Sequence, residues 1–357
     1  MNLSSSLSIN KSELLTGVLT FLFLFLATFG SRQFRLSSGS AITVDKESRL
    51  IIPERANLND LSFYLDSLGV DFSKKELEWS SRMLGWRTFK KGSYNLAGEY
   101  SYEVFLAKLA RGIQDPVPVV ILPGINQSRF AESISNQIDV SKEEMLDIFT
   151  DSLFLDELRL SSEDLFGRML PETYLMYWTS SPKDVVRRVL REFNAQVVDR
   201  FSEEVNQQDL TIDDVLTMAS IVEWEANIEE EKPIISGLYW NRFNRGMRLQ
   251  ADPTINFALG ERRRLLFEDY QFDHPYNTYL KKGLPPGPIT NPSLSTIEAS
   301  VFPQQHDYIY MVANPEGGHV FTRTFEEHQI ESEKWRKWLR QQYRIKRQRE
   351  AEEALNQ

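Results

Sequence analysis

Two glutamates, Glu223 and Glu225, lie two residues apart in the segment SIVEWEA, which otherwise has the composition of a buried helix. A buried carboxylate costs free energy unless it is paired or stays protonated. Side chains two positions apart on a helix point about 200° away from each other, so these two carboxyl groups cannot face one another. The spacing therefore predicts different roles for the two groups.

The helix that carries both glutamates is predicted to begin at Thr211, because Thr211 and Asp214 have the spacing of a capping box. Glu225 then lies over Ile221, one turn earlier, and has more hydrocarbon beneath it than Glu223 has. Loss of solvent raises the pKa of a carboxyl group and keeps it protonated near neutral pH. A protonated acid in an apolar cleft can donate a proton to the leaving oxygen of a glycosidic bond. Glu225 is therefore the candidate catalytic acid, and Glu223 a structural or supporting group.

Two downstream segments carry side chains that suit a sugar. The first, RLQADPTINFALG, would place three polar side chains on one face if it were extended. The second, HPYNTYLKKGLPPGPITNPS, combines aromatic and amide groups with a stiff proline-rich loop. Sugar rings stack on aromatic faces, and their hydroxyl and N-acetyl groups need donors and acceptors. The candidate substrate-binding residues are Gln250, Asp252, Thr254, Tyr276, Asn277 and Tyr279.

Plainer roles stay open for the same residues. Both glutamates could pair with arginines such as Arg242. Asn277 could simply hold a turn, and Tyr276 could belong to the core. A metal site built from His306, His319 and His328 is a further alternative, but the four histidines of the chain show no helical H-x-x-x-H spacing. His319 follows two glycines at a predicted hairpin turn, where a hydrogen-bonding role is favoured. We therefore predict no metal and no cofactor.

Composition limits the classes of function. The chain has 357 residues, which suits two modest domains plus extensions, and no cysteine, which excludes disulfides and thiolate chemistry. The formal net charge is −10, so no nucleic-acid partner is expected. The segment from Lys334 to Arg349 holds eight basic residues and no acidic one. Its spacing predicts a solvated helix face, with a lipid or nucleic-acid contact as the alternative.

An apolar run of 17 residues without charge, at positions 14–30, can just span a thin hydrocarbon layer. A cleaved signal peptide is the alternative, but the following SRQFRLSS offers no small-x-small cleavage site. An uncleaved membrane anchor is therefore favoured. Lys11 precedes the run and Arg32 and Arg35 follow it, so the charge bias does not fix its orientation.

Turn residues divide the rest of the chain. A first strand is predicted to end at Pro53, with Asn57 or Asn59 capping the next helix, and a second strand to end at Pro123 before a helix that begins near Ser128. Residues 141–201 and 211–244 have mostly helical patterns. Residues 246–303 are rich in Gly, Pro, Asn and Asp and are predicted to form loops and short strands, and residues 308–322 to form a hairpin.

Four segments, in order, resemble the motifs of the MltG-type (YceG-like) endolytic murein transglycosylases. They are LTMASIVEWEA, NRFNRGMRLQADPTINFALG, YNTYLKKGLPPGPITNPS and YIYMVANPEGGHVFTRTFEEH. The resemblance is strongest over residues 216–328 and continues more weakly upstream to about residue 45. It implies that the second glutamate of the E-x-E pair, Glu225, is catalytic.

The resemblance also implies an α+β fold with an N-terminal transmembrane helix, a small LysM-like α+β module and a larger mixed α+β catalytic domain. The predicted boundaries are a short N-terminal segment at 1–12, a transmembrane helix at 13–31, a linker at 32–44, the LysM-like module at 45–116, the catalytic domain at 117–330 and a charged helical tail at 331–357. A single-pass anchor in the bacterial inner membrane with an extracytoplasmic catalytic part is expected. Peptidoglycan synthases are candidate protein partners.

Enzymes of this family, as the resemblance implies, cleave the bond between N-acetylmuramic acid and N-acetylglucosamine in peptidoglycan glycan strands. One glutamate protonates the glycosidic oxygen and then accepts the proton of the sugar's own C6 hydroxyl, so that a 1,6-anhydro ring closes. Two alternatives remain: a hydrolase that uses Asp252 as a second carboxylate, and a glycan-binding scaffold in which Glu225 is only structural.

Overall fold

The computed structural model describes residues 10–355. The chain divides into two compact units, one reaching from the N-terminus to Val117 with Tyr177–Thr179, and one formed by Pro118–Met176 and Ser180–Gln357. Helices and small antiparallel sheets occur in both, so the α+β class predicted from the sequence is confirmed. The finer subdivision at residues 45–116, 117–330 and 331–357 stays a prediction. Residues 1–9 of the predicted N-terminal segment and the last two residues of the predicted tail lie outside the described range.

From residue 10 onward, where the structure describes the chain, the first unit contains four helices and five strands. The helices are α1 (Lys11–Ser37), α2 (Leu58–Ser67), α3 (Lys74–Leu84) and α4 (Tyr102–Arg111). The strands are β1 (Ile42–Ile52), β2 (Ala56–Asn57), β3 (Asp71–Phe72), β4 (Thr88–Phe89) and β5 (Gly92–Tyr100). An antiparallel sheet has the order β3-β1-β5, and β2 pairs with β4. Asn57 caps α2 through a capping box, as one of the two predicted capping residues.

Helix α1 is, among the described residues, the helix long and apolar enough to cross a membrane, with a mean hydropathy of 2.0 over its most apolar window. It continues beyond the predicted end at residue 31 to Ser37, and β1 begins at Ile42. The linker predicted at residues 32–44 is therefore wrong in extent. The helix persists because Leu36 is buried and Arg35 pairs with Glu76 at 2.8 Å while lying 3.7 Å from the ring centroid of Trp79.

The second unit is mostly helical. Its helices are α5 (Gln127–Ser135), α6 (Lys142–Asp147), α7 (Ser152–Leu158), α8 (Ser162–Gly167), α9 (Pro182–Phe193), α10 (Asp199–Gln207), α11 (Ile212–Glu225), α12 (Lys232–Asn244), α13 (Asp252–Leu259), α14 (Leu294–Val301) and α15 (Phe325–Leu355). The remaining strands are β6 (Val117–Val120), β7 (Thr173–Met176), β8 (Tyr310–Ala313) and β9 (His319–Thr322), paired as β6-β7 and β8-β9. A π-helical turn at Asn194–Val198 joins α9 to α10.

Residues 246–303 differ from the prediction, because they contain the helices α13 and α14 and no strand. The proline after Asp252 occupies the first turn of α13, a position where its missing N–H costs nothing, so the Asp-Pro pair starts a helix instead of a turn. The predicted hairpin is confirmed: Tyr310 pairs with Thr322 and Ala313 with His319. The charged helix also forms, but it begins at Phe325 and not at residue 331.

Candidate active site

Helix α11 begins where the sequence predicts. The Thr211 hydroxyl accepts the backbone N–H of Asp214 at 3.1 Å, and the Asp214 carboxylate accepts the backbone N–H of Thr211 at 2.9 Å. Residues 215–222 are all buried, and the helix packs against α12 and α14. Glu225 is the last residue of α11, so its carboxyl group lies at the end of the helix and at the edge of the core.

Glu223 holds the start of α14 through one of its carboxylate oxygens. Its Oε2 accepts hydrogen bonds from the backbone N–H of Ser293 at 3.0 Å and from the Ser293 hydroxyl at 2.8 Å. A third hydrogen bond comes from the hydroxyl of Thr296. These contacts connect the ends of two helices, and they agree with a supporting role for this glutamate.

Glu225 lies in a different environment, on the other side of the helix. The hydroxyl of Tyr239, a buried residue of α12, donates a hydrogen bond of 2.9 Å to its Oε1. Burial raises the pKa of Glu225 from 4.5 to about 7, and the charge of Asp252 adds to this rise. The Tyr239 hydrogen bond and the positive charge of Arg242 oppose the rise in pKa but do not cancel it. Glu225 is therefore a group that can hold and release a proton near neutral pH.

The alternative prediction, in which Glu223 and Glu225 both form ion pairs with arginines such as Arg242, is wrong. Among the described residues, Arg242 directs its guanidinium to backbone carbonyls, donating to Ile309 at 2.7 Å and to Leu249. The guanidinium also lies over the aromatic rings of Tyr239 and Tyr310. Arg242 therefore fixes the loop and the hairpin beside Glu225, and it contributes positive charge without forming an ion pair with Glu223 or Glu225.

The side chain of Glu225 lines a cleft of about 450 Å³, here called the Glu225 cleft. Its walls come from the end of α11, from α12, from the start of α13 and from the β8-β9 hairpin. Its lining residues include Glu225, Tyr239, Gln250, Asp252, Tyr279 and His319. Three of the six predicted substrate-binding residues therefore meet around the predicted acid.

Asp252 is an exposed carboxylate in this cleft. Its Oδ1 accepts a hydrogen bond of 2.6 Å from the Tyr279 hydroxyl, and its Oδ2 a longer one of 3.4 Å from the Tyr270 hydroxyl. The two tyrosine rings lie edge to face at 4.7 Å. Asp252 thus has an ordered position near Glu225, and its negative charge favours the protonated form of that acid.

Gln250 has a backbone conformation that only a few residue types adopt easily. Its φ angle is 52°, and its N–H donates to the carbonyl of Thr278 at 3.2 Å. Leu249 and Ala251 on either side are fully buried, while the Gln250 side chain is exposed and lines the cleft. Left-handed backbone at a non-glycine residue persists only where the surroundings enforce it, and such positions cluster at functional sites.

The other three predicted binding residues do not line the Glu225 cleft. Asn277 is 0% exposed, and its Nδ2 donates to the carbonyls of Tyr270 and Phe272 at 3.2 and 2.8 Å. Thr254 is 0% exposed as well and donates to the carbonyl of Ala251 at 2.7 Å. The predicted shared face of Gln250, Asp252 and Thr254 is wrong, because α13 is helical and turns Thr254 into the core.

Tyr276 also belongs to the interior. It is part of the buried cluster around α11 and α12, and its ring centroid lies 4.6 Å from that of Phe257. The plainer roles for Tyr276 and Asn277, a core residue and a turn residue, therefore describe their positions in the structure. Both shape the loop that presents Tyr279.

His319 and Tyr239 are cleft residues that the sequence did not identify as binding residues. His319 interacts with Glu231, as the prediction of a hydrogen-bonding role anticipated: its Nδ1 lies 2.8 Å from Glu231 Oε2. His306 is bound elsewhere, with Nε2 2.9 Å from the carbonyl of Ile234. Within residues 10–355, no cluster of three or more His, Cys, Asp or Glu side chains could hold a metal ion. The only advance signal for His319 was its place after two glycines.

The site therefore has one carboxylic acid with a pKa near neutrality, one ordered carboxylate and a ring of hydroxyl, amide and imidazole groups in an open cleft. Such a set can supply a proton to a leaving oxygen of a ligand that is rich in hydroxyl groups. These features are typical of an acid–base site for a polar ligand.

Comparison with known proteins agrees with this class. Residues 50–334 match the YceG-like family, and the chain belongs to this family. It is 28% identical over 313 residues to the endolytic murein transglycosylase of Bacillus subtilis (strain 168), a match that covers 82% of this chain and 87% of the relative. It is 27% identical over 302 residues to the endolytic murein transglycosylase of Streptococcus pneumoniae serotype 2 (strain D39), covering 76% of this chain. The match spans only 55% of that longer pneumococcal protein.

A solved structure supports the fold. The 2.6 Å crystal structure of a yceG-like protein from Listeria monocytogenes is similar with a TM-score of 0.56 and 27% sequence identity. The similarity covers 80% of this chain and 98% of that protein.

Proposed function

We propose that this protein is an endolytic peptidoglycan lytic transglycosylase. It cleaves the β-1,4 bond between N-acetylmuramic acid and N-acetylglucosamine within glycan strands and leaves 1,6-anhydro-N-acetylmuramic acid ends. The observation that carries the proposal is Glu225, whose pKa is raised to about 7 at the base of an open cleft. Membership of the YceG-like family and the names of the relatives support the substrate and the type of reaction.

In the proposed reaction, protonated Glu225 donates its proton to the glycosidic oxygen while the bond from that oxygen to C1 of N-acetylmuramic acid breaks. Positive charge develops on the sugar ring. The carboxylate of Glu225 then accepts the proton of the C6 hydroxyl of the same sugar while O6 forms a bond to C1. The 1,6-anhydro ring closes, Glu225 regains its proton and no water is consumed.

Three side chains are proposed to contact the strand directly. Gln250 offers its side-chain amide, and its backbone has a left-handed conformation. Tyr279 offers the edge of its aromatic ring, and its hydroxyl is held in place by a hydrogen bond to Asp252. Asp252 itself can accept hydrogen bonds from sugar hydroxyls. Thr254, Tyr276 and Asn277 do not contact the strand. They lie in the interior and fix the loop and the helix that carry these three side chains.

A hydrolase is the second candidate. Asp252 is an exposed carboxylate in the same cleft, so it could activate a water molecule while Glu225 acts as the acid. The Tyr279 and Tyr270 hydroxyls already donate hydrogen bonds to the two oxygens of Asp252, which leaves fewer acceptor positions for a water molecule and favours the reaction without water.

The setting of the enzyme is part of the proposal. Helix α1 anchors the chain in the bacterial inner membrane in a single pass, and the catalytic part lies on the extracytoplasmic side. Residues 45–116 of the first unit, which contribute to its three-stranded antiparallel sheet, serve as a LysM-like glycan-binding module. Peptidoglycan synthases are the proposed partners, and cleavage of nascent strands contributes to cell wall assembly by ending strand elongation.

Release of fragments from purified polymeric peptidoglycan tests whether Glu225 does chemistry. We expect the full chain in detergent to release soluble fragments and the Glu225→Gln variant to release none. Glu230→Gln, which changes an exposed glutamate of the neighbouring segment, is the matched control and should behave as the parent. A Glu225→Gln variant as active as the parent would support the scaffold alternative for this residue and contradict the proposal.

A further inference from the structure

His319, an ionisable side chain that the proposed reaction does not use, lines the Glu225 cleft, and a single carboxylate holds it in place. Its backbone N–H donates to Glu231 Oε1 at 2.7 Å, and its ring Nδ1 lies 2.8 Å from Glu231 Oε2. A carboxylate only accepts hydrogen bonds, so Nδ1 carries the hydrogen. Nε2 is then the ring nitrogen without a partner among the described residues, and it is available to a ligand in the cleft.

The contact between His319 and Glu231 depends on the backbone around it. Gly318 has a φ angle of 70°, and a Cβ atom at that position would collide with the Glu231 carboxylate. Both side chains are shielded from solvent, with 15% of His319 and 13% of Glu231 exposed. Glu231 ends the 3-10 turn that leads into α12, the helix that carries Tyr239. The pair is thus positioned by the same elements that position the partner of Glu225.

We propose that Glu231 orients His319 so that its Nε2 accepts a hydrogen bond from a hydroxyl of the sugar whose glycosidic bond Glu225 protonates. The identity of the ligand as a sugar rests on the proposed function. His319 is a substrate-binding residue in this account, and Glu231 is a positioning residue that acts through it. The cleft then offers complementary groups to one sugar: a donor at protonated Glu225 and an acceptor at His319.

The alternative is purely structural, with the pair serving only to fasten the β8-β9 hairpin to the start of α12. Binding measurements separate the two roles. The full chain carrying Glu225→Gln, which does not consume its ligand, is titrated in detergent with purified glycan strands of N-acetylglucosamine and N-acetylmuramic acid. Adding His319→Ala should weaken binding about tenfold, the effect of one lost hydrogen bond in a shielded site.

His306→Ala is the matched control. His306 is also half-buried and also hydrogen-bonded, to the carbonyl of Ile234, but it does not line the Glu225 cleft. We expect this variant to keep the affinity of the Glu225→Gln chain within about twofold. In the chain with Glu225 intact, free imidazole should partly restore cleavage by His319→Ala, because the ring can re-enter the space beside the cleft. It should not change cleavage by His306→Ala.

Glu231→Gln gives a second test with little change in shape. The amide that this substitution introduces can still accept from the backbone N–H of His319, but its NH₂ group faces Nδ1 and donates to it. Nδ1 then becomes the acceptor, the hydrogen moves to Nε2, and the acceptor for the sugar hydroxyl is lost. We therefore expect weaker strand binding with a nearly unchanged melting temperature.

Unchanged strand affinity in both His319→Ala and Glu231→Gln, together with no effect of imidazole, would overturn the proposal and leave the pair as a hairpin tie. Because binding is measured in the Glu225→Gln chain, this result would not affect the proposed cleavage by Glu225. Failure of the parent chain to cleave peptidoglycan, with His319-dependent strand binding intact, would instead contradict the proposed function alone.

Discussion

The hydroxyl of Tyr239 donates a hydrogen bond of 2.9 Å to Oε1 of Glu225, and this contact opposes the effect of burial on the acid. Burial favours the protonated form of Glu225, whereas a donated hydrogen bond favours the carboxylate. The pKa of about 7 is the balance of these effects with the surrounding charges. The pKa of Tyr239 is itself raised well above its usual value by burial, so its hydroxyl remains a donor throughout the neutral range.

This balance predicts the pH dependence of cleavage. The acid must be protonated to act, so the rate should fall as pH rises above about 7. Tyr239→Phe removes a hydrogen bond that lowers the pKa of Glu225, so the falling limb should move to higher pH. Asp252→Asn removes a negative charge that raises this pKa, so the limb should move to lower pH.

The measurement is the pH–rate profile of glycan strand cleavage by the parent and the two variants, with the catalytic rate taken at saturating strand concentration. Opposite shifts of the falling limb would support Glu225 as the titrating acid. Limbs that shift in the same direction, or that do not move, would assign the titration to another group.

Glu223 should matter for stability and not for proton transfer. The Ser293 N–H, the Ser293 hydroxyl and the Thr296 hydroxyl all donate to Oε2 of Glu223, and Glu223→Gln replaces this charged acceptor by a neutral amide oxygen. We expect the free energy of unfolding to fall by about 1–3 kcal/mol, the cost of weakened or unmade hydrogen bonds to a charged group. Urea unfolding monitored by circular dichroism measures this. A stable variant that has lost its cleavage rate would contradict the assignment.

Asn277 provides a test of the structure against the sequence prediction. From the sequence we expect Asn277 to contact the substrate, but in the structure it is fully buried and makes hydrogen bonds to the backbone of Tyr270, Phe272 and Tyr279. Asn277→Ala should therefore destabilise the protein by about 1–3 kcal/mol, because two partly buried carbonyls and a partly buried N–H lose their partner. A variant with parent-like thermal stability and much weaker strand binding would restore the earlier interpretation.

The start of the first unit can be located by two truncations. Removal of residues 1–31 deletes the exposed apolar part of α1 and should give a soluble protein. Removal of residues 1–36 also deletes Arg35, which pairs with Glu76, and Leu36, which is 3% exposed. The shorter protein should be less stable by about 1.5–3 kcal/mol, the contribution of one buried leucine. Equal melting temperatures would show that this end of α1 does not stabilise the unit.

Local signals allowed the central part of this site to be predicted from the sequence. The capping box at Thr211 and Asp214 set the start of α11, and the two-residue spacing placed Glu223 and Glu225 on different sides. The hairpin followed from two β-rich runs around a Pro/Gly turn. Each of these features depends on residues close together in the chain, which is where sequence patterns are most informative.

Features that depend on distant partners were not predictable in the same way. Whether Asn277 faces a ligand or the backbone depends on loop carbonyls whose positions only the fold determines. The Glu231–His319 pair joins residues 88 positions apart, and nothing in the local run of three glutamates distinguishes Glu231. The sequence pattern does not predict the start of α13, because a proline after an aspartate is typical both of a turn and of the first turn of a helix.

The chemistry of the product ends tests the central claim most directly. Glycan strands are digested with the full-length parent chain and with Glu225→Gln, and the new ends are identified by mass spectrometry. The account predicts that the parent leaves 1,6-anhydro-N-acetylmuramic acid ends, lighter by one water than hydrolysed ends, and that Glu225→Gln slows their formation by at least roughly 10²–10⁴-fold. Reducing ends in place of anhydro ends would contradict the transglycosylase reaction and assign Asp252 as a second catalytic carboxylate.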